Sequence, residues 1–451
     1  MTQISPPPVS PHEQESPDEP WNQTIPKKTV YYVSFVCFLA WVGSVYDYTL
    51  FGTLLPVIAE DFGWSTAQAT AVNTWAMVGV LIVCLLVGTI IDRMGRKRAL
   101  IFLVIGGAIS SGLTGAAIGA LSMVIIRSFS GFAVSEEVVN SVYLNEIYRK
   151  TKARGFMFSL VQSGWPVGAM FGAAMTALLL PVIGWRWSFV LAATVSVVVL
   201  ILATKLPESP TFLAMKEVQR RIDVGNYEGA RALAEEQEIE MPGEKAVGFK
   251  GVFTPELRRH TISLCLAWLF SWMAIQVISV LGTTVLVEAK NYQFTDSLTV
   301  LILGNVAAFV GYLFHGWLGD RIGRRTAVFG GWLLGGLASL ALLLGPDTSA
   351  FVIAMYSASL FFLNGPFAAM LFYMGESYPA HVRGVGANLA HVMAPAGAIL
   401  GSGLISVLLG AGLSMTTASI IAGSVPLLLA AFMMLGTIKV PATSPVSDSA
   451  N

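Results

Sequence analysis

The chain has 451 residues, of which 55% are hydrophobic and only 12% are charged. Soluble domains carry roughly 25% charged residues, so this composition excludes an ordinary soluble protein and indicates a chain that lies largely in lipid. The 27 basic and 27 acidic residues balance to a net charge of zero, and they give no basic surface of the kind that binds nucleic acid.

Apolar runs of a length suited to a bilayer recur along the chain. A hydrocarbon core about 30 Å thick needs roughly 20 apolar residues in each helix. We predict twelve spans, at 30–55, 70–91, 99–120, 121–145, 155–180, 185–205, 260–287, 297–319, 326–345, 349–375, 384–410 and 413–437. The predicted fold class is an all-α membrane protein with twelve transmembrane helices in two pseudo-symmetric six-helix bundles.

The spans divide the chain into five parts. Residues 1–29 are rich in Pro, Ser and Glu and lack a signal-cleavage pattern, which is typical of a disordered tail. An N-terminal bundle follows at 30–205, a charged linker with short amphipathic helices at 206–259, and a C-terminal bundle at 260–438. Residues 439–451 form a second tail.

Basic residues predict the orientation. Apart from Arg127, Arg186 and Lys290, every Lys and Arg falls in a tail, in the linker or at joints that would face one side. By the positive-inside rule that side is the cytoplasm, so we expect both termini to be cytoplasmic. The short loops and the three Cys favour a bacterial inner membrane.

The two halves repeat each other. The segment 92–99 (DRMGRKRA) recurs 228 positions later at 320–327 (DRIGRRTA), and the Glu and Arg-Gly after the fourth span recur with offsets of 230 and 229. An Asp beside clustered Arg can dock one helix end onto another by charge-assisted hydrogen bonds. We therefore predict gating residues at these joints: Asp92, Arg93, Gly95, Arg96, Glu146, Arg154, Asp320, Arg321, Gly323, Arg324, Glu376 and Arg383.

Two further positions repeat inside a span. Pro166 and Gly168 recur as Pro395 and Gly397, both with an offset of 229, and they interrupt the fifth span of each half. Gly and Pro are common in membrane helices generally, but matching interruptions in two parallel halves favour a substrate site between the halves, near the bilayer midplane.

These loops, together with Pro207-Glu208-Ser209-Pro210 after the sixth span, resemble the major facilitator superfamily across both halves. Within it the chain is similar to metabolite:proton symporters and to sugar porters, and is most similar to sialic acid transporters. The resemblance implies alternating access without a cofactor, a proton as the coupling ion, and a functional monomer.

Three positions carry the closer resemblance. Arg127 followed by Glu137, and Gly184-Trp185-Arg186 after the fifth span, match the symporter group. That group has Asp-Gly-Phe-Asp in its first span, whereas Ser44-Val45-Tyr46-Asp47 keeps only the second acid. This departure disfavours an aromatic acid as the substrate.

Four ionisable residues fall inside spans, where a charge is costly and indicates function. Asp47 and Arg127 lie at similar depths, so we predict that they pair and that a proton on Asp47 breaks the pair. A static structural pair is the alternative. On one continuous helix, Glu137 shares the approximate face of Arg127 and could bind a proton or face the substrate, whereas Glu136 points away.

The predicted substrate contacts are polar or aromatic residues inside spans: Tyr46, Gln162, Trp165, Gln276, Asn305, Asn364 and His391. Hydrogen bonding between helices is the ordinary use of Asn, Gln and His in a bundle. Trp165 is the favoured candidate among them, because it lies between Gly164 and Pro166 in the interrupted fifth span.

The sequence favours a proton-coupled symporter of a small anionic solute, an organic acid or a sugar acid such as sialate. Arg127 would meet either Asp47 or the substrate carboxylate. The alternatives are a sugar transporter, coupled or uncoupled, a drug exporter, and a transporter-like sensor that binds a solute and signals through the linker. We find no pattern typical of an enzyme or a metal site.

Overall fold

The computed structural model describes residues 21, 25–148, 154–237, 239, 241, 249–379 and 382–440, without the side chains at 88–93, 154–156, 249 and 383–384. The predicted tails therefore lie mostly outside the described residues, as do four predicted gating side chains, those of Asp92, Arg93, Arg154 and Arg383. Within the described residues the chain is helical and contains no strand.

Seven helices build the N-terminal half: α1 (Lys27–Phe62), α2 (Thr66–Met94), α3 (Arg96–Thr114), α4 (Ala120–Ser128), α5 (Gly131–Ile147), α6 (Arg154–Gln162) and α7 (Gly164–Ala203). The local sequence explains several boundaries. Gly63 takes a left-handed conformation (φ 66°) that ends α1. At the start of α2, the Ser65 hydroxyl accepts a hydrogen bond from the backbone N–H of Gln68.

The linker contains a helical hairpin, α8 (Pro210–Asp223) and α9 (Tyr227–Glu236). Their facing residues form a small apolar core around Val218 and Leu233, against which Trp21 packs. A short 3₁₀ turn, Phe249–Phe253, precedes the second half.

The C-terminal half repeats the pattern with more interruptions. Its elements are α10 (Arg258–Ala274), a π-helical segment Ile275–Val280, α11 (Gly282–Lys290), α12 (Phe294–Ile322), α13 (Arg324–Leu344), α14 (Ser349–Asn364), α15 (Phe367–Glu376), α16 (Arg383–His391), α17 (Met393–Gly410), α18 (Met415–Ser419), a second π-helical segment Ile420–Ser424, and α19 (Val425–Met434).

Ten helical stretches of the described chain are long and apolar enough to cross a membrane. One of them, Met157–Ala203, has 47 residues and would extend roughly 70 Å at 1.5 Å per residue, more than twice a bilayer core. It bends at Gly184, whose φ of 70° and ψ of 173° are not helical. Counting it as two passes, and α4 with α5 as one, gives the twelve passes of the predicted fold.

The fifth span of each half is interrupted at an equivalent position. α6 gives way to α7 at Ser163, and α16 gives way to α17 at Val392, 229 residues later. The repeated glycines sit just beyond: a Cβ on Gly168 would lie 2.6 Å from the Val42 carbonyl oxygen, and one on Gly397 would collide with the Leu269 carbonyl oxygen. The small residues therefore let the fifth span press against the first span of its own half.

Candidate functional site

A cavity of about 170 Å³ lies between the two halves. The first, second, fourth and fifth spans line it on one side, and α10 with the junction of α16 and α17 lines it on the other. Most of the wall is apolar. The polar groups that face the cavity are Ser44, Tyr48, Ser135, Glu137 and His391.

Four aromatic rings form one wall of this cavity. The Trp165 ring centroid lies 6.0 Å from those of Trp41 and Tyr48, and 5.5 Å from that of Trp272, which comes from the other half. Trp165 directly precedes Pro166 at the interruption of the fifth span, and this bend turns its side chain toward the interface of the halves. The arrangement offers ring faces and edges against which a flat apolar solute can pack.

Several hydrogen-bond donors near this wall have no protein partner. The indole nitrogens of Trp41, Trp165 and Trp272 are buried and unpaired among the described residues, as is the side-chain amide nitrogen of Gln276. Buried donors without a partner are costly, so a ligand that accepts hydrogen bonds here would gain from them. A carboxylate is such a ligand.

Tyr48 and Gln276 join the halves at positions 228 residues apart, the repeat offset. The Tyr48 hydroxyl donates to the Gln276 Oε1 at 3.2 Å. Gln276 belongs to the π-helical segment Ile275–Val280, an irregularity that often occurs at functional sites. The bond thus joins the first spans of the two halves.

Glu137 and His391 meet across the same interface at the polar end of the cavity. Glu137 Oε2 lies 3.8 Å from His391 Nε2, too far for a hydrogen bond, and both side chains are partly accessible. Each half therefore contributes one titratable group to a space that is otherwise apolar.

Asp47 and Arg127 form a separate buried pair within the N-terminal half. Arg127 Nη1 donates to Asp47 Oδ1 at 3.0 Å, and Nη2 donates to the Asp47 carbonyl at 3.1 Å. The guanidinium also lies over the rings of Phe51 and Phe189, at 5.4 and 5.5 Å, where cation–π attraction supports it. Its side chain is fully buried and does not line the cavity, so in this conformation Arg127 meets Asp47.

The neighbouring acids Glu136 and Glu137 face different surroundings. Glu137 lines the cavity, whereas Glu136 is fully buried and accepts a hydrogen bond from Asn140. Phe129 and Ser130 separate α4 from α5 with backbone angles close to helical. In this conformation Arg127 meets Asp47 inside the N-terminal half, whereas Glu137 reaches the cavity.

Of the seven predicted substrate residues, the structure brings Trp165 and His391 to the cavity. Gln276 lies beside it, bonded to Tyr48. The remaining four lie elsewhere in this conformation: Tyr46 packs on Phe171, Gln162 donates to Ser141, Asn305 donates to the carbonyl of Leu301 in its own helix, and Asn364 is buried without a partner among the described residues. Their role in binding stays a prediction.

Sequence reasoning did not single out Trp41 or Trp272, which supply half of the aromatic wall. Trp272 precedes Gln276 by four residues, so on a regular helix the two would share a face. That spacing from a predicted polar residue is the signal that could have found it. No comparable signal distinguishes Trp41 from the aromatic residues that contact lipid.

The repeated joints form equivalent ion pairs inside each half. Arg96 Nη2 lies 2.8 Å from Glu146 Oε1, and 228 residues later Arg324 pairs with Glu376 and, at 3.2 Å, with Asp320. These pairs tie the start of one span to the end of another. Among the described side chains they do not bridge the halves.

Gly95 and Gly323 directly precede the third span of their halves, with φ of 84° and 87°, a region that strongly favours glycine. At Gly95 this turn presents the Arg96 backbone N–H to Glu208 at 2.8 Å. This hydrogen bond links the Pro-Glu-Ser-Pro element to the loop between the second and third spans. Near Gly323, in the last turn of α12, the guanidinium of Arg321 lies 4.2 Å from the Trp317 ring centroid.

The halves contact each other most closely at the end of the bundle away from these joints, which we call the far end. There Thr283 donates to the Thr53 carbonyl at 2.9 Å, and Thr66 donates to Glu288 at 2.9 Å. At the joint end, the described contact between halves is apolar, with the Phe158 and Phe372 rings 5.4 Å apart. The structure is therefore closed at the far end.

Comparison with known proteins gives a match to the family model described as "Major Facilitator Superfamily", over residues 37–402. The chain is 26% identical to a gallate transporter of Pseudomonas putida, over 84% of this chain and 86% of the relative. It is 25% identical to a benzoate transport protein of Acinetobacter baylyi, over 79% and 78%. It is also 25% identical to a synaptic vesicle 2-related protein of Rattus norvegicus, over 84% and 73%.

Gly52 tests the closure of the far end. A Cβ at this glycine would collide with the carbonyl of Val280 in the other half, so Gly52→Leu should hold the far end open. Cys84 lines the cavity and reports access to it. We expect labelling of Cys84 by a bulky maleimide, read by mass spectrometry, to rise at least about fivefold, because overpacking costs about 1–3 kcal/mol.

Gly330→Leu is the matched control, since a Cβ there has open space around it. It should leave the labelling of Cys84 unchanged. Equal labelling of Cys84 in the Gly52→Leu variant and the native chain would contradict a far end that is sealed by this approach.

Proposed function

Because the chain belongs to the major facilitator superfamily, whose members are transporters rather than enzymes, we propose that it imports a small aromatic carboxylic acid together with protons. The single observation that supports this best is the cavity between the halves, where an aromatic wall meets unpaired hydrogen-bond donors. Alternating access would expose the cavity first to one side of the membrane and then to the other.

Cavity size favours a one-ring solute. An apolar cavity of roughly 150 Å³ holds benzene in another protein, and the cavity here measures about 170 Å³. A nine-carbon sugar acid such as sialate is larger and carries many hydroxyls that this wall could not satisfy. The relatives named for gallate and benzoate transport support the same choice, so we prefer an aromatic acid to the sugar acid that the sequence alone favoured.

The cavity can orient such a solute by its two ends. We infer that the ring packs against Trp165 and Trp272, and that its carboxylate accepts hydrogen bonds from the unpaired indole N–H groups and from Gln276. Glu137 and His391 would then face the ring substituents. Placing an anion in a site without a fixed cation is unfavourable unless charge enters with it, which a coupled proton supplies.

Asp47 and Arg127 are the proposed coupling pair. With both charged, the pair holds α1 against α4 by the two hydrogen bonds described above. A proton on Asp47 removes its charge and leaves the Arg127 guanidinium buried beside a neutral group, which costs several kcal/mol. Protonation would thus favour a different packing of α1 and α4. Because α1 also contacts α11 at the far end, this change in packing can alter the contact that closes the far end.

The protein is an integral membrane protein whose partners are the bilayer and a small solute. We propose that it lies in a bacterial inner membrane, that both termini are cytoplasmic as the basic residues predict, that it works as a monomer, and that the proton is its coupling ion with no other cofactor.

Uptake into proteoliposomes tests this proposal. With an imposed inward proton gradient, the native protein should accumulate radiolabelled benzoate or 4-hydroxybenzoate, after subtraction of uptake by protein-free liposomes, into which neutral acids diffuse. Asp47→Asn cannot take up a proton at this site and should lose at least about 90% of this accumulation. Asp223→Asn, on the surface hairpin, is the matched control and should transport normally.

Two results would oppose the proposal. If the native protein moves no aromatic acid above the liposome background, the substrate class is wrong, and neutral sugars, export and sensing would be tested next. If Asp47→Asn accumulates the acid as the native protein does, Asp47 does not couple transport to protons.

The aromatic wall predicts a second effect. Aromatic pairs contribute about 0.5–1.5 kcal/mol beyond burial, so Trp272→Leu should raise the KM for benzoate about 2- to 12-fold. Trp187→Leu is the control, because Trp187 is exposed on the surface of the helical bundle. A KM unchanged by Trp272→Leu would place the ring elsewhere.

A further inference from the structure

We propose that Glu136 is a second proton-binding site, connected through Ser44 to Asp47, so that each transport cycle moves two protons. This inference rests on the proposed function and deepens it. The predicted coupling group at Asp47 has a fixed counterion, whereas the acid proposed here has none among the described side chains.

Glu136 is sealed from solvent. Its exposed fraction is 0%, and Oε1 accepts a hydrogen bond from the Asn140 amide, which also donates to the Cys37 carbonyl. The other oxygen, Oε2, has no hydrogen-bond partner within the described chain. A buried carboxylate with a single neutral donor is costly in a membrane protein, whereas the protonated acid is tolerated and could donate from Oε2.

A small cavity lies beside the coupling pair. Its volume is about 10 Å³, and its lining includes Asp47, Ser44 and Ala133, which is close to the smallest space that holds one water molecule. Oδ2 of Asp47 also lacks a partner among the described residues. One water there could therefore carry a proton to or from Asp47 by hydrogen bonding.

Ser44 connects this small cavity to the central one. It lines both, and it lies near the Glu136 carboxyl group, whose Oε2 has no hydrogen-bond partner in the described chain. Ala133 also borders both spaces but has no polar group. Of the residues that line both, Ser44 is thus the one that can pass a proton, because a hydroxyl both donates and accepts.

Other titratable groups surround this path. Cys37 of α1 and Glu137 of α5 lie near Glu136, and Cys84 of α2 lies near Ser135. Asp47, which is paired with Arg127, lines the small cavity together with Ser44. Glu137 opens into the central cavity while Glu136 does not. Of the two adjacent acids, Glu137 therefore borders the solute cavity, whereas Glu136 lies inside the N-terminal half beside Asn140.

The net charge moved in each transport cycle distinguishes two coupled protons from one. A proton entering from one side forms an O–H bond on Glu136, a second does so on Asp47, and both protons leave on the other side after the carboxylate has moved. Two protons with one monocarboxylate transfer a net charge of +1, whereas one proton with the same anion transfers none. Only the two-proton cycle responds to membrane potential.

We would measure benzoate accumulation in proteoliposomes at equal pH on both sides, with an inside-negative potential set by potassium and valinomycin. The native protein should accumulate benzoate above the level without potential, by up to roughly 50-fold at 100 mV for one net charge. Glu136→Gln keeps the shape and the acceptor for Asn140 but cannot bind the proton. It should lose the response to potential and still accumulate benzoate when a pH gradient is imposed.

Controls separate the outcomes. Glu236→Gln, on the surface of α9, should respond to potential as the native protein does, and thermal unfolding in detergent should show that Glu136→Gln is folded. Ser44→Ala should slow proton-driven uptake, and Ser44→Thr, which keeps the hydroxyl, should restore it. If benzoate accumulation by the native protein and by Glu136→Gln responds equally to the membrane potential, Glu136 has a structural role and the inference fails. If neither accumulates benzoate under a pH gradient, the proposed function fails first.

Discussion

The cost of holding charge inside a bilayer governs this molecule. Asp47 and Arg127 lie in membrane-spanning helices, where an unpaired charge costs several kcal/mol. Two hydrogen bonds to Asp47 and two aromatic faces stabilise the Arg127 guanidinium. The pair fixes α4 against α1. In α5, which follows α4, Glu137 meets the central cavity while Glu136 stays inside the bundle.

The two halves share a scaffold but divide the chemistry. Both have an interrupted fifth span, a glycine contact between their fifth and first spans, and an ion pair at the repeated joint. The embedded acids and Arg127 belong to the N-terminal half, and the C-terminal half contributes Trp272, Gln276 and His391 to the interface. Tyr48 and Gln276 meet between the first spans of the two halves, one supplying an aromatic hydroxyl and the other an amide.

Much of the scaffold could be predicted from the sequence because hydropathy and repetition act locally. Span positions, the joints at Asp92 and Asp320, and the interruptions near Pro166 and Pro395 follow from composition and offset alone. The contact of Asp47 with Arg127 followed from depth, since two embedded charges of opposite sign have few other partners.

The cavity wall depended on rotations that the sequence does not reveal. The interruption before α5 and the π-helical segment around Gln276 change the local helical register, and periodicity alone does not predict that Glu137 lines the cavity while Arg127 does not. Tyr46 and Trp165 looked alike as aromatic residues inside spans, yet Tyr46 packs within its half and Trp165 faces the other half. Packing between distant helices decides such cases.

The most direct measurement of coupling is proton movement itself. Proteoliposomes holding a pH-sensitive dye would start with no gradient and receive 4-hydroxybenzoate outside, with protein-free liposomes giving the rate at which the neutral acid enters unaided. Proton-coupled import predicts that the lumen acidifies several-fold faster with the protein than without it. Acidification at the liposome rate, while radiolabelled acid enters faster through the protein, would contradict proton coupling.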